Sequence, residues 1–134
     1  MRVKILLVVL LAISFGFWVG CKSVNPPVSY TNKDIIGSWE GCDGRVVTFS
    51  KDENGGVLGR YSKLGGLGRY RFSLNEIGFH ITQKKPGTYV GQVKWKNTMG
   101  NETWREETIE VEGNILKTTS SDNCGKELKR VKGP

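Results

Sequence analysis

The chain has 134 residues, and its 20 Lys and Arg against 13 Asp and Glu give a formal net charge of +7. This length suits one domain and excludes an array of domains. The charges are interleaved along the chain rather than gathered in blocks. Such a balance favours acidic partners or anionic lipid headgroups and gives no reason to expect nucleic-acid binding; the alternative is a solvated surface of mixed charge.

Residues 1–20 have the organisation of an export signal. Arg2 and Lys4 precede an apolar run over residues 5–19, and a glycine followed by Cys21 closes it. That order is typical of a secretory signal peptide. The run of about 15 residues is shorter than the roughly 18–20 residues of a membrane-spanning helix. We therefore expect these residues to be removed from the mature chain.

The end of this segment, Trp18-Val19-Gly20-Cys21, resembles the lipobox of bacterial lipoproteins. The resemblance implies that Cys21 is lipidated after cleavage and that acyl chains hold the protein at the cell envelope. Lys22 follows the cysteine, so an acidic inner-membrane retention signal is absent there, which favours the outer membrane. The alternative is an ordinary signal or an uncleaved anchor with an incidental cysteine.

Two cysteines remain once Cys21 is assigned to lipid. Cys42 and Cys124 form an even pair in an oxidising compartment, so we expect a disulfide that joins the start of the domain to its last strand. Closing a loop of about 80 residues stabilises a chain by roughly 4.5 kcal/mol on the entropic account. With a single histidine and no C-x-x-C spacing, we expect neither a metal site nor a cofactor.

Residues 21–33 are rich in Pro, Ser and Asn, and Pro26-Pro27 stiffens them. We interpret this segment as a tether that spaces the domain from the membrane. Residues 34–134 are then the folded domain. Its first residues, Asp34-Ile35-Ile36, are expected to form one helical turn.

Alternating apolar and polar residues dominate the domain, and turn residues separate the alternating runs. Eight or nine short strands indicate an all-β fold. We expect a small antiparallel up-and-down β-barrel of about eight strands, with a two-layer β-sandwich as the alternative. The 18 glycines suit strong bending, and closure of the sheet removes its edges. Besides a first strand at Gly37-Ser38-Trp39, the predicted strands are residues 45–50, 57–61, 69–74, 79–82, 88–96, 103–112, 115–119 and 126–131.

The segment Gly37-Ser38-Trp39, together with a later Asn-Gly-Gly turn and Gly59-Arg60-Tyr61, resembles the opening of lipocalin-like and avidin-like barrels. The resemblance implies that Trp39 packs at the closed end of the barrel. It also implies that a basic residue of the last strand lies across the indole. Arg130 is the first choice for this residue, and Lys129 is the second.

Aromatic residues supply the candidate binding site. A Gly-Arg-Tyr element occurs on each side of the glycine-rich loop 64–68, and antiparallel pairing of these elements would bring Tyr61 and Tyr70 together. Other aromatics fall on alternating positions that face inward. In a small barrel such residues usually fill the centre, which is the alternative. The candidate ligand-binding residues are Tyr61, Tyr70, Phe72, Tyr89 and Trp95.

The sequence offers little for catalysis. His80 lies in a predicted strand without a serine or cysteine nucleophile motif. Carboxylates such as Glu106 and Glu107 could form a pair for glycosidic chemistry only at a suitable spacing. We name no catalytic residue and expect the protein not to be an enzyme.

Two functions are consistent with these features. The first is a non-enzymatic cell-envelope lipoprotein whose barrel binds a small apolar or amphipathic ligand. The alternative is a protein-interaction module, such as a periplasmic inhibitor or an envelope-assembly accessory. The alternative predicts a contiguous exposed patch at Arg60, Tyr61, Arg69, Tyr70 and Arg71. The expected partners are the membrane, through the lipid anchor, and either a small ligand or an envelope protein.

Overall fold

The computed structural model describes residues 33–132. The predicted signal peptide, Cys21 and the tether up to residue 32 lie outside the described residues. The strands are β1 (Gly37–Glu40), β2 (Val46–Lys51), β3 (Val57–Lys63), β4 (Ile77–Lys85), β5 (Thr88–Lys96), β6 (Glu102–Glu112), β7 (Ile115–Thr118) and β8 (Glu127–Arg130). Two short 3₁₀ helices, Gly65–Tyr70 and Asn123–Gly125, lie in the connections before β4 and before β8.

The eight strands form one closed barrel in sequence order. Each strand pairs antiparallel with the next, and β8 returns to β1 with Trp39 opposite Arg130. The all-β up-and-down barrel predicted from the sequence is therefore confirmed, and the sandwich alternative is wrong. Among the described residues, no helix is long and apolar enough to cross a membrane.

Strand alternation explains why the interior is filled. Phe49, Val93 and Ile109 lie at inward positions of β2, β5 and β6, and each is at most 2% exposed. Gly59 of β3 pairs with Phe49 on one side and with Phe79 on the other. A Cβ at Gly59 would clash with both rings, so the glycine lets them meet at 5.3 Å between centroids.

The predicted strand over residues 69–74 is wrong. The chain there forms the 3₁₀ helix Gly65–Tyr70 and then a turn, and β3 pairs with β4 instead. Two non-glycine residues, Arg71 with φ of 64° and Asn75 with φ of 66°, adopt the left-handed conformation, which interrupts an extended ladder. Tyr61 and Tyr70 are consequently not cross-strand neighbours.

The predicted helical turn at Asp34-Ile35-Ile36 is also absent, since these residues have no regular structure. Ile35 is instead fully buried in the core. Its carbonyl accepts a hydrogen bond of 2.8 Å from the Trp39 indole N–H. The segment thus fills the barrel end rather than forming a helix.

The predicted disulfide is present between Cys42 and Cys124, whose Cα atoms are 4.9 Å apart. Cys42 follows β1, and Cys124 lies in the short 3₁₀ helix before β8 rather than in the strand itself. Since β1 and β8 are the first and last strands, the bond closes the seam of the barrel.

Candidate binding site at the open end of the barrel

The barrel has two different ends because successive connections alternate between them. One end, called the closed end, carries the tight turns 52–56, 86–87 and 113–114 and the entering segment 33–36. The other, called the open end, carries the longer connections 41–45, 64–76, 97–101 and 119–126. The chain therefore enters the domain at the closed end.

Trp39 and Arg130 fill the closed end. The Arg130 guanidinium carbon lies 4.2 Å from the centroid of the buried Trp39 ring. Arg130 also donates hydrogen bonds to the carbonyls of Asp34 (2.9 Å) and Gly113 (3.2 Å). One side chain thus joins the entering segment, the β6–β7 turn and the last strand.

Tyr89, one of the five candidate ligand residues, also lies at the closed end. Its hydroxyl accepts a hydrogen bond from the Ile35 N–H at 3.3 Å and donates one to the Lys33 carbonyl at 3.4 Å. Burial raises the pKa of Tyr89 despite the bond from Ile35, and the Asp34 carboxylate raises it further. The structure therefore separates Tyr89 from the other four residues and gives it a role in fixing the entering segment.

The other four candidates surround a recess in the open end. This recess, with a volume of about 80 Å³, is lined by Tyr61, Tyr70, Phe72 and Trp95, together with Leu67 of the first 3₁₀ helix. Tyr61 forms its floor and is 5% exposed, whereas Tyr70 and Trp95 are half-buried at the sides. A wider surface hollow of about 760 Å³ lies at the closed end, but charged and aliphatic residues line it and no aromatic does.

The floor of the recess is an aromatic cluster. The Tyr61 ring meets Phe72 edge-to-face at 5.2 Å and lies 6.2 Å from Phe79. Burial raises the pKa of the Tyr61 phenol, and the Arg45 guanidinium opposes this only in part. Tyr61 therefore stays neutral under physiological conditions.

Asp43 holds the loops of the open end together. Its carboxylate accepts hydrogen bonds from the Arg45 guanidinium (2.9 Å) and from the Gly66 N–H (2.9 Å). Gly65 has a φ of 54° and passes so close to the Arg45 backbone that a Cβ would not fit. Burial alone would raise the pKa of Asp43, but the hydrogen bonds from Arg45 and Gly66 outweigh it and lower the pKa.

Arg45 extends this network to the disulfide. The side chain is 10% exposed, and a second guanidinium nitrogen lies 3.8 Å from the Asp122 carboxylate. Asp122 directly precedes the 3₁₀ helix that contains Cys124. The recess wall formed by Arg45, Ser121 and Asp122 is thus fixed both covalently and by ion pairs.

Two lysines border the recess on the β5 side. Lys94 and Lys96 lie 3.1 Å and 2.7 Å from the same Glu76 carboxylate, and Glu102 is within 4.0 Å of both. Burial would raise the pKa of Glu76, but hydrogen bonds from Lys96, the Ser73 N–H and Lys94 lower it overall. These two cations are therefore already neutralised by carboxylates.

Glu107 clamps the connection before β8. The residue is 2% exposed, and one carboxylate oxygen accepts hydrogen bonds from the backbone N–H groups of Thr108, Thr119 and Ser120. The Ser121 hydroxyl donates to the other oxygen at 3.1 Å. This side chain orders the loop that carries Ser121 and Asp122, so its role is structural.

Three other cations stand exposed at the rim of the recess. Arg69 lies over the Tyr70 ring at 5.3 Å, and Arg105 lies over the Trp95 ring at 4.0 Å. Arg71 packs against Gly100 of the neighbouring turn. Within residues 33–132, none of the three guanidinium groups has a carboxylate within 4.0 Å.

Exposed apolar side chains accompany these arginines. Leu74 is 61% exposed and Met99 is 69% exposed, and both lie on connections of the open end. The exposed surface at the open end therefore differs in composition from the patch that the sequence predicted at Arg60, Tyr61, Arg69, Tyr70 and Arg71. Tyr61 is buried beneath it, and Arg60 bonds the Asn75 carbonyl at 3.1 Å.

His80 is exposed on the outer face of β4, with its ring 5.1 Å from Trp104. Across residues 33–132, no group of three or more His, Cys, Asp and Glu side chains is placed to hold a metal ion.

Several residues of the site carry no recognisable sequence signal. Arg45, Leu67 and Asp122 reach the recess from three separate connections. The Cys42–Cys124 pairing was the one signal that could have brought residues 43–45 and 121–122 together in advance. Comparisons with protein-family models, curated proteins and solved structures found no match to this chain.

Proposed function

We propose that the protein is a non-enzymatic lipoprotein of the bacterial cell envelope whose barrel binds a protein partner through its open end. The observation that carries this proposal is a filled interior combined with an aromatic recess at the open end, whose connections also carry the exposed Leu74 and Met99. Single exposed apolar side chains are common on protein surfaces, whereas exposed apolar and aromatic residues that share one end of a domain with charged residues are typical of interaction sites.

The proposed anchor suits a partner on this side. Lipidation of Cys21 would hold the chain at the membrane, and the tether leads into the closed end. The open end is then the end of the barrel opposite to the attachment point. The absence of an acidic residue after Cys21 favours the outer membrane as the site of anchoring.

The experiment is a capture of partners by the full-length lipidated protein from its own envelope, solubilised in a neutral detergent. Replacing Leu74 and Met99 by Asp should abolish recovery of the specific partner, because a charge at each site disrupts an apolar contact. Replacing the exposed closed-end residues Asn54 and Asn114 by Asp adds the same charge and should leave recovery unchanged. Equal recovery by both variants would contradict the proposal.

The anchor needs its own test. Cys21→Ser should abolish acylation and leave unprocessed precursor, detected by a mass shift of the N-terminal peptide. A mature, acylated product from this variant would refute the proposed lipid anchor.

The second candidate is the binding of a small apolar or amphipathic ligand. It is favoured by the fact that Tyr61, Tyr70, Phe72 and Trp95 line one recess. The volume of about 80 Å³ falls below the roughly 300–1,000 Å³ of typical small-molecule sites. Native mass spectrometry of the purified protein separates the two: a stoichiometric bound small molecule would favour this candidate.

A further inference from the structure

We propose that the open end recognises an acidic protein segment and that one apolar side chain of this segment enters the recess. This inference rests on the proposed protein-binding function and names the chemistry of the partner.

The first argument is the charge of the rim. The carboxylates Glu76 and Glu102 are shared by Lys94 and Lys96, and Asp43 and Asp122 share Arg45, which leaves one carboxylate in excess. Arg69, Arg71 and Arg105 are exposed without such partners among the described residues. The uncompensated charge of the rim is therefore positive, and complementarity calls for acidic groups on the partner.

The second argument is the state of the arginines. Arg105 is held over Trp95 and Arg69 over Tyr70 by contacts with the ring faces. A guanidinium that contacts an aromatic face keeps the N–H donors at its edge free for a carboxylate. No hydrogen bond from these two guanidinium groups to another residue in the described part of the chain is present. The two donor sets are thus positioned in advance and unused.

The third argument is the size of the recess. A cavity volume of about 80 Å³ is well below the roughly 300–1,000 Å³ of typical small-molecule sites. It suits a single side chain, and the exposed apolar Leu74 and Met99 lie on connections at the same end of the barrel. A small anion alone would leave this apolar surface uncovered, so a polypeptide fits better than a free ion. A lipid surface is disfavoured because the chain enters at the opposite end.

The test uses the full lipidated protein in neutral detergent and three peptides that carry an uncharged dye. The probe peptide is Glu-Asp-Glu-Phe-Glu-Asp-Glu. The second peptide has Gly in place of Phe, and the third has Gln and Asn in place of Glu and Asp. Fluorescence anisotropy should show the probe binding at least about tenfold more tightly than either control, with affinity falling as salt is added.

Matched variants locate the binding. The double variant R71E/R105E should weaken probe binding at least about tenfold, whereas K84E/K85E, which reverses two exposed charges at the closed end, should change it less than about twofold. R71Q/R105Q removes the charges without reversing them and should give an intermediate loss. Circular dichroism and melting temperature report whether each variant folds.

Equal affinity for the acidic and neutral peptides, or an equal loss in both double-charge variants, would overturn the inference. Binding to vesicles of anionic phospholipid that R71E/R105E abolishes, without peptide binding, would overturn it in favour of a lipid surface. If the acidic peptide does not bind but the L74D/M99D variant still loses its captured partner, the inference is wrong and the proposed function stands. If the L74D/M99D variant captures every partner that the wild-type protein captures, the proposed function itself is wrong.

Discussion

Arg130 connects three parts of the closed end through one side chain. Its guanidinium lies over Trp39 and donates to two backbone carbonyls that come from the entering segment and from the β6–β7 turn. A cation over an aromatic ring contributes about 0.5–2 kcal/mol, and the two hydrogen bonds add to it. The residue therefore stabilises the end opposite the recess.

Replacing Arg130 by Ala should lower the free energy of unfolding by about 2 kcal/mol and leave partner binding at the open end unchanged. Thermal unfolding followed by circular dichroism measures the first effect. Lys129→Ala, at the exposed neighbouring position, is the matched control and should change stability by less than about 0.5 kcal/mol. An Arg130 variant as stable as the control would remove this role.

Asp43 gives the open end a dependence on pH. Its pKa lies below the ordinary value of 3.8 because hydrogen bonds from Arg45 and Gly66 outweigh burial. A carboxyl group with a lowered folded-state pKa stabilises the fold above its unfolded pKa, and this contribution is lost as the pH falls through the folded value. The network that holds the recess wall should therefore weaken in acid.

Asp43→Asn should destabilise the protein by about 2 kcal/mol at neutral pH, since a charge-assisted network is lost. The difference from wild type should shrink in urea titrations performed progressively below pH 4, where wild-type Asp43 itself becomes protonated. Asp52→Asn, in a closed-end turn, is the matched control for loss of one carboxylate and should change stability at neutral pH by less than about 0.5 kcal/mol. A difference for Asp43→Asn that stays constant down to pH 2 would contradict the lowered pKa.

At the scale of elements, β5 and the first 3₁₀ helix show what local patterns predict. The strand predicted over residues 88–96 matches β5, because strict alternation and the flanking Pro86-Gly87 and Asn97 are local signals. The alternating Tyr70, Phe72 and Leu74 predicted a strand that does not form. Leu67 is instead buried at the open end. The Gly66 N–H donates a hydrogen bond to the Asp43 carboxylate, and these two residues are 23 positions apart in the sequence. A contact between residues so far apart cannot be predicted from the local sequence pattern.

The candidate binding site also contains some features that local patterns predict and others that depend on distant residues. Trp95 lies beside the recess, and its inward position follows from the period of the strand. Tyr89 obeys the same alternation on β5 yet lies at the opposite end of the barrel, since periodicity reports the face of a sheet and not the height along it. The clamp at Glu107 depends on a loop that follows a later strand, so its partners could not be read from the sequence around it.

Among the contacts between strands and their connections, the disulfide is expected to have the largest effect on the free energy of unfolding. It joins residues 82 positions apart across the β1–β8 seam, where the register pairs Trp39 with Arg130 and Glu40 with Lys129. Removing such a crosslink typically costs about 2–5 kcal/mol. Its loss also releases the connection that carries Asp122 to the recess wall.

Replacing both Cys42 and Cys124 by Ala should lower the free energy of unfolding in urea by about 2–5 kcal/mol. Dithiothreitol should lower wild-type stability to a similar level and leave the double variant unchanged. Identical unfolding curves for wild type and variant, with and without reductant, would show that the seam does not need the bond.

At the scale of the whole molecule, the proposed function gives the two ends of the barrel different tasks. The closed end receives the chain from the proposed tether and is filled by Trp39, Arg130 and Tyr89. The open end holds the recess, the exposed Leu74 and Met99, and three arginines that have no carboxylate partner within residues 33–132. A well-packed barrel is rigid, so it can present this surface to the proposed partner in a fixed geometry.

Site-specific photo-crosslinking in intact cells tests this division of tasks most directly. A benzophenone amino acid at Leu74 or at Met99 of the full-length protein should give discrete adducts with one protein, and the same group at Asn54 or Asn114 should give none with that protein. Adducts with a common partner from the closed-end positions alone would contradict recognition through the open end.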